Sequence, residues 1–419
     1  MRNEIFFSTK FEKSMKCIEK LKKLEKYYTP LSLSSNSWSF KLKENDWEII
    51  QKGTNKVQIA ITNRCNFPCK ICYSSSHPID YSMEIDRKTF LKILRKIGKG
   101  KRVILIGGEP TVREDLFELI DLVRKSGNFP EIYTNGIKLA DFSFNEELVK
   151  RGIKRVYFSF DGFDKNYYRI MNGSENILFY KLLALKNLMK LNASIILSSR
   201  IVRNLNEKEV KKIVEFAVKL RKSGKNITGV YFYGATNYGR FQIENGEMEW
   251  SYLYRLLKDA TNGIAELEYF IEFKKLILIL HRLGKKFGVN FSFGSGGFIG
   301  VFQVGNNKKI IEKIIETDEL KKINESLEKG RLVNILNSSI KSLSLRKVIK
   351  RMIYNLHFNL PYEYLIPSNF ILIGFGNLHT PLNFTSNSFD APELFTLGKK
   401  QPIIVRRSSF TILGGTEIV

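Results

Sequence analysis

From Lys56 to about Arg240 the chain alternates short, continuous apolar runs with amphipathic stretches of helical period, and few architectures accept such a pattern. The apolar runs fall at Val57–Thr62, Val103–Ile106, Glu131–Tyr133, Arg155–Phe160, Ala193–Leu197 and Gly229–Tyr233. Runs that are apolar without alternation belong to strands buried on both faces, and helices between them act as crossovers, so the sheet is parallel. Six such units predict an α/β fold, a partial (β/α)6 parallel barrel of incomplete TIM type, with chemistry at the C-terminal ends of the strands.

The helices between them are legible by spacing. Asp86 to Ile97 turns Phe90, Leu91, Ile93, Leu94 and Ile97 inward and stops at Gly98. Thr111-Val112-Arg113-Glu114 has the form of a capping box and predicts a helix start ahead of Leu116, Phe117, Leu119, Ile120 and Val123. Further helices are expected near Asn145–Lys150, Ile177–Leu191 and Asn206–Lys222. Residues 1–55 form an N-terminal extension with a basic helix over Lys10–Tyr28, and residues 56–240 form the core barrel. Residues 241–419 read as an α+β C-terminal region. It has helices at Trp250–Thr261 and Tyr269–Lys286, a Gly-rich stretch at Gly294–Gly300, a basic helical region to about Asn359 and a strand-like tail.

Charge and cysteine usage narrow the class. Against 42 Asp+Glu stand 68 Lys+Arg, a net charge of +26. This excess reflects either phosphate-bearing partners or the composition of the source genome. The four cysteines are Cys17, Cys65, Cys69 and Cys72, which is no disulfide framework for a secreted protein. No apolar stretch approaches the ~20 residues that span a bilayer, and Met1 to Lys10 lacks the apolar core of a signal peptide. A cytoplasmic location, with a peripheral membrane contact open to the basic regions, is the expectation.

Directly after the first strand comes Thr62-Asn63-Arg64-Cys65-Asn66-Phe67-Pro68-Cys69-Lys70-Ile71-Cys72-Tyr73. Thiolates are the usual ligands of iron–sulfur clusters, and three of them leave one iron of a four-iron cubane open to a small molecule. Structural zinc would want a fourth ligand, for which His77 is the nearby candidate. The cysteine spacing resembles that of the radical S-adenosylmethionine superfamily, and the likeness continues in the loops after later strands. These carry Gly107-Gly108-Glu109-Pro110, Tyr133-Thr134-Asn135-Gly136, Ser159-Phe160-Asp161-Gly162 and Leu197-Ser198-Ser199-Arg200, with Gly234 to Arg240 after the sixth strand. The second and third of these resemble the branch with the molybdenum-cofactor GTP cyclase and peptide-modifying enzymes.

What the resemblance implies is specific. Cys65, Cys69 and Cys72 would ligate one [4Fe–4S] cluster, and S-adenosyl-L-methionine would take the fourth iron. Ile71 and Tyr73 would lie near the adenine, and Gly107, Gly108, Glu109 and Pro110 would meet the methionyl amine. Ser159, Asp161, Ser198 and Arg200 would serve the ribose and carboxylate, and Asn135 would also line the cofactor site. Electrons from a ferredoxin- or flavodoxin-type donor would cleave the cofactor to a 5′-deoxyadenosyl radical that abstracts hydrogen from substrate.

The departures bear on that substrate. No cysteine follows Cys72, so the second cluster of the GTP cyclase and the C-terminal clusters of SPASM-type peptide modifiers cannot form from this chain. Residues 1–55 are too few for a cobalamin-binding domain. A small molecule or peptide is the expected substrate. The alternatives are the same chemistry on an anionic macromolecule (membrane lipid, as in tetraether-lipid synthases, or tRNA) or a non-catalytic iron–sulfur or zinc protein. Lys329 to Tyr362 holds seven basic residues and no acidic one, with apolar residues at near-helical spacing. It is either a helix packed on the barrel or a helix for an anionic lipid surface or RNA.

Overall fold

The computed structural model describes residues 56–72, 74, 76, 84–236, 240–273, 275–276, 298–305, 309–328, 369–377, 393–396 and 402–406. The expected N-terminal helix, Cys17, Tyr73, His77 and the basic segment Lys329–Tyr362 lie outside them, as does most of Tyr269–Lys286.

The core begins with strand β1 (Lys56–Thr62) and a two-residue strand β2 (Ile71–Cys72) at the end of the cysteine loop. Then come α1 (Arg87–Ile97), β3 (Arg102–Gly107), α2 (Leu116–Lys125), β4 (Phe129–Thr134), α3 (Phe142–Lys150) and β5 (Arg155–Ser159). Helices α4 (Lys165–Asn172) and α5 (Asn176–Leu188), β6 (Ser194–Ile201), α6 (Glu209–Lys222) and β7 (Ile227–Gly234) complete it. Strands β1, β3, β4, β5, β6 and β7 are parallel neighbours in that order, which is the alternation read from the sequence. Every residue of β3 is buried, the mark of a strand covered on both faces.

The sheet continues beyond residue 240. After β8 (Arg240–Phe241) and α7 (Trp250–Ala260), strands β9 (Phe298–Val304) and β10 (Ile311–Lys313) and helix α8 (Thr317–Glu328) precede β11 (Phe370–Asn377). β11 pairs parallel with β7 and antiparallel with β9, so it is a seventh parallel strand supplied by the C-terminal region. At the other edge β13 (Pro402–Arg406) lies antiparallel to β1 and carries β12 (Glu393–Thr396). The strand order runs from β10 to β12 without closing, so the barrel is partial. Among the described residues no helix is long and apolar enough to cross a membrane.

Two local starts show how side chains set element ends. Asp86 caps α1, its carboxylate accepting from the Thr89 amide at 2.8 Å, and Phe90, Ile93, Leu94 and Ile97 are buried. The capping box expected at Thr111 does not form. The Glu109 carboxylate takes the Thr111 amide at 3.1 Å and hydroxyl at 2.6 Å, so Pro110–Val112 becomes a 3-10 turn. α2 starts only at Leu116, with Asp115 making no side-chain cap bond.

Beneath the sheet's C-terminal ends the interior holds a charged layer. Arg102 of β3 grips Glu131 of β4 in two bonds of 2.8 and 2.7 Å, and Arg155 of β5 stands 3.8 Å from the same carboxylate. None of the three is more than 1% exposed. Arg102 also donates to the Tyr157 hydroxyl at 2.9 Å. The Tyr157 ring stacks on Tyr133 with centroids 5.2 Å apart, and Tyr133 reaches the cavity described next.

Candidate functional site

A cavity sits where β1, β3, β4, β5 and β6 end. Its wall includes all three loop cysteines, Ile71, Gly107 to Glu109, Asn135, Ser159, Asp161 and Arg200. Of the residues singled out from the sequence, two are placed elsewhere. Ser198 turns its hydroxyl to Tyr133 in a hydrogen bond, so Tyr133 rather than Ser198 lines the wall. Pro110 is buried in the 3-10 turn.

The cysteine loop is pinned by main chain. The Gly108 and Glu109 amides donate to the Thr62 and Arg64 carbonyls, each at 2.8 Å, and Lys70 donates to the Met171 carbonyl at 3.0 Å. Arg240, reached through the pairing of β2 with β8, donates to the Cys69 carbonyl at 2.7 Å and the Ser76 carbonyl at 3.1 Å. Arg200 donates to the Ile71 carbonyl at 2.8 Å, tying the end of β6 to the loop.

The glycine doublet follows from this contact. A Cβ on Gly107 would lie 2.0 Å from the Thr62 carbonyl oxygen, and one on Gly108 would lie 2.3 Å from that of Arg64. Backbone meets backbone, so no side chain can turn aside. Gly108→Ala is expected to lower stability by about 1–3 kcal/mol and to leave iron incorporation well below that of the parent protein. An unchanged denaturation midpoint with full iron would show that the loop can yield.

Glu109 is fully buried, and its donors come from three directions. Oε1 accepts from the Thr111 amide and hydroxyl and from the Thr134 hydroxyl at 2.7 Å, while among the described residues Oε2 accepts only from the Asn135 amide at 2.6 Å. Burial raises its pKa against the pull of those bonds. Asp161 accepts from the Arg200 amide at 2.7 Å and so joins the ends of β5 and β6.

The thiols differ among themselves. Burial, with the negative charge of Glu109 behind it, pushes Cys65 well above the ordinary thiol range. Burial and Cys72 push Cys69 up to about 11, with Arg200 and Lys181 acting in the opposite sense. Burial also opposes ionisation of Cys72, but the Ser74 hydroxyl at 3.2 Å, nearby backbone amides and Arg200 hold it below its usual value. Asn172, at the end of α4, donates to the Cys69 sulfur at 3.0 Å.

Lys181 was not visible as a site residue in the sequence. It lies in the middle of α5, is 3% exposed, and donates to the Asn135 carbonyl at 2.8 Å and the Ser159 carbonyl at 2.7 Å from the cavity wall. Burial lowers its pKa, against the attraction of Asp161, Cys69 and Glu109.

Three thiols facing one cavity are the donor set of a cubane with one open iron. Among the described residues no group of three or more His, Cys, Asp or Glu is gathered to hold a single metal ion.

Residues 59–217 match the family model described as the radical SAM superfamily. The chain is 31% identical over 223 residues to the 7,8-dihydro-6-hydroxymethylpterin dimethyltransferase of Methanocaldococcus jannaschii, covering 51% of this chain and 43% of that protein. It is 29% identical over 167 residues to a probable GTP 3′,8-cyclase of Pyrococcus abyssi, covering 39% of this chain and 53% of that one. The chain thus spans about half the length of these curated relatives. Among solved structures, Streptococcus suis SuiB bound to S-adenosylmethionine matches over 50% of this chain and 48% of its own, at 17% identity and a TM-score of 0.42. The matched stretch runs from β1 into α6 and includes the cysteine loop with every residue of the cavity wall, so the part of the chain that builds the cavity is the part similar to the radical SAM superfamily.

Proposed function

We propose that this chain is an enzyme that reductively cleaves S-adenosylmethionine at a [4Fe–4S] cluster held by Cys65, Cys69 and Cys72, and so activates a small molecule or peptide by hydrogen abstraction. The observation that carries this reading is the convergence of three thiols and the Gly107–Glu109 turn on one cavity at the strand ends. When bound, cluster and cofactor supply a one-electron cleavage that ends in methionine and 5′-deoxyadenosine.

The chain's own residues hold and orient. Glu109 Oε2 has one donor where a carboxylate oxygen has room for two, so it is suited to a cofactor ammonium. Asp161 and Ser159 present acceptors from β5, where hydroxyls of a ribose would find partners. Arg200, anchored to the Ile71 carbonyl, holds the β6 wall against the loop while Ile71 offers an apolar face to a base. The buried Met171 and Tyr167 on α4 exclude water from the same space. A low-potential ferredoxin- or flavodoxin-type donor belongs to this proposal.

Protein reconstituted without oxygen is expected to bind about four irons and four sulfides per chain. With dithionite it should convert S-adenosylmethionine to 5′-deoxyadenosine even without substrate. Protein that takes up no cluster, or a cluster that yields no nucleoside, would sink the proposal.

A further inference from the structure

Lys181 is the group in the cavity that the proposed chemistry leaves without a task. It is a buried ammonium whose two bonds go to uncharged backbone carbonyls, and among the described residues no carboxylate forms an ion pair with it. Aromatic rings of Phe158 and Tyr168 stand 5.7 and 5.8 Å away, which adds little polar compensation. Burying a cation this way is costly unless negative charge arrives close by. The wall it shares with the carboxylates of Glu109 and Asp161 also carries Cys65, Cys69 and Cys72, from which further negative charge would come.

Charge accounting selects the partner. S-adenosylmethionine carries a sulfonium and an ammonium against one carboxylate, so it brings net positive charge. A cubane core held by three thiolates is net negative, and one-electron reduction makes it more so. Lys181 and the three cysteines line the same cavity, and its ammonium is fixed there by the Asn135 and Ser159 carbonyls.

We propose that Lys181 is the fixed counter-charge of the reduced cluster, a positioning residue that raises the cluster's reduction potential. This rests on the functional reading above. α5 holds the ammonium between the ends of β4 and β5, so its charge cannot swing away to water. A fixed cation near a cluster favours the state with one more electron, and it leaves the oxidised state comparatively less stable.

The test is an EPR-monitored redox titration of reconstituted protein without S-adenosylmethionine, comparing the parent with Lys181→Met, Lys181→Gln and Lys181→Arg. Both neutral variants should show a midpoint lower by at least about 59 mV, a tenfold loss in the ratio of reduced to oxidised cluster at fixed potential. Lys181→Arg should stay near the parent. A neutral variant with full cluster and the parent midpoint overturns the inference, even if its S-adenosylmethionine binding is weakened. Loss of cluster from both neutral variants with retention in Lys181→Arg would support it, since charge alone would then distinguish them. Loss from all three would assign Lys181 to the fold and overturn it. Failure of the parent to bind a cluster would instead count against the functional reading.

Discussion

Replacing Cys65, Cys69 and Cys72 together by Ala is expected to yield a folded protein with no cluster and no formation of 5′-deoxyadenosine. Folding should survive because the loop loses only the Asn172 bond to the Cys69 sulfur and the Ser74 bond to the Cys72 sulfur, while its main-chain and guanidinium anchors use no sulfur. Gly108 and Glu109 hold it through amides, Met171 through a carbonyl, and Arg240 through a guanidinium on the Cys69 carbonyl. The lost sulfurs leave small voids at the cavity rim, where the cost is modest beside that of a core truncation. Iron content should therefore fall from about four per chain to background, with an unchanged circular dichroism spectrum and denaturation midpoint. A triple variant that kept a full cluster would show that other residues ligate it.

The parts of this fold that are legible in sequence are those where burial is complete. Val103 to Ile106 and Val156 to Phe158 are apolar at every position because both faces of the sheet are buried there, and such runs have one common explanation. β11 is different. It is just as apolar, but its pairing with β7 spans more than a hundred residues, and local pattern carries no partner information over that distance. The misread helix start at Thr111 has a chemical cause. A capping box assumes that the Thr hydroxyl serves its own helix, whereas Glu109 had already captured it. Ser198 shows a related effect, since strand position predicts which way a side chain points but not that its hydroxyl pairs with Tyr133. Lys181 is the clearest case. On an amphipathic helix a lysine between Tyr180 and Leu182 reads as solvent-facing, and its neighbours Phe179 and Tyr180 are in fact 64% and 45% exposed. Only the docking of α5 over the ends of β4 and β5 turns that lysine inward.

Glu131→Gln is expected to be among the most destabilising single substitutions in the core, at about 3–5 kcal/mol. The site carboxylates can spare a charge more easily, because Glu109 draws its donors from hydroxyls and amides. Glu131 instead faces two guanidinium groups, Arg102 in a two-pronged grip and Arg155 at 3.8 Å, in a layer that water does not reach. Glutamine would keep the shape but remove the carboxylate charge that faces these two arginines, and it would turn N–H donors toward N–H donors. A loss of this size is a large share of the 5–15 kcal/mol that holds a typical domain together. It should also loosen the stack above, since Arg102 positions Tyr157 and Tyr157 supports Tyr133 at the cavity wall. Urea denaturation of the cluster-free protein measures it directly. Adding Arg102→Met to Glu131→Gln removes one of the two stranded cations, so the double variant should be more stable than the single one. If the single variant unfolds at the parent midpoint, or the double variant is the weaker, the charged layer does not hold the base of the barrel in this way.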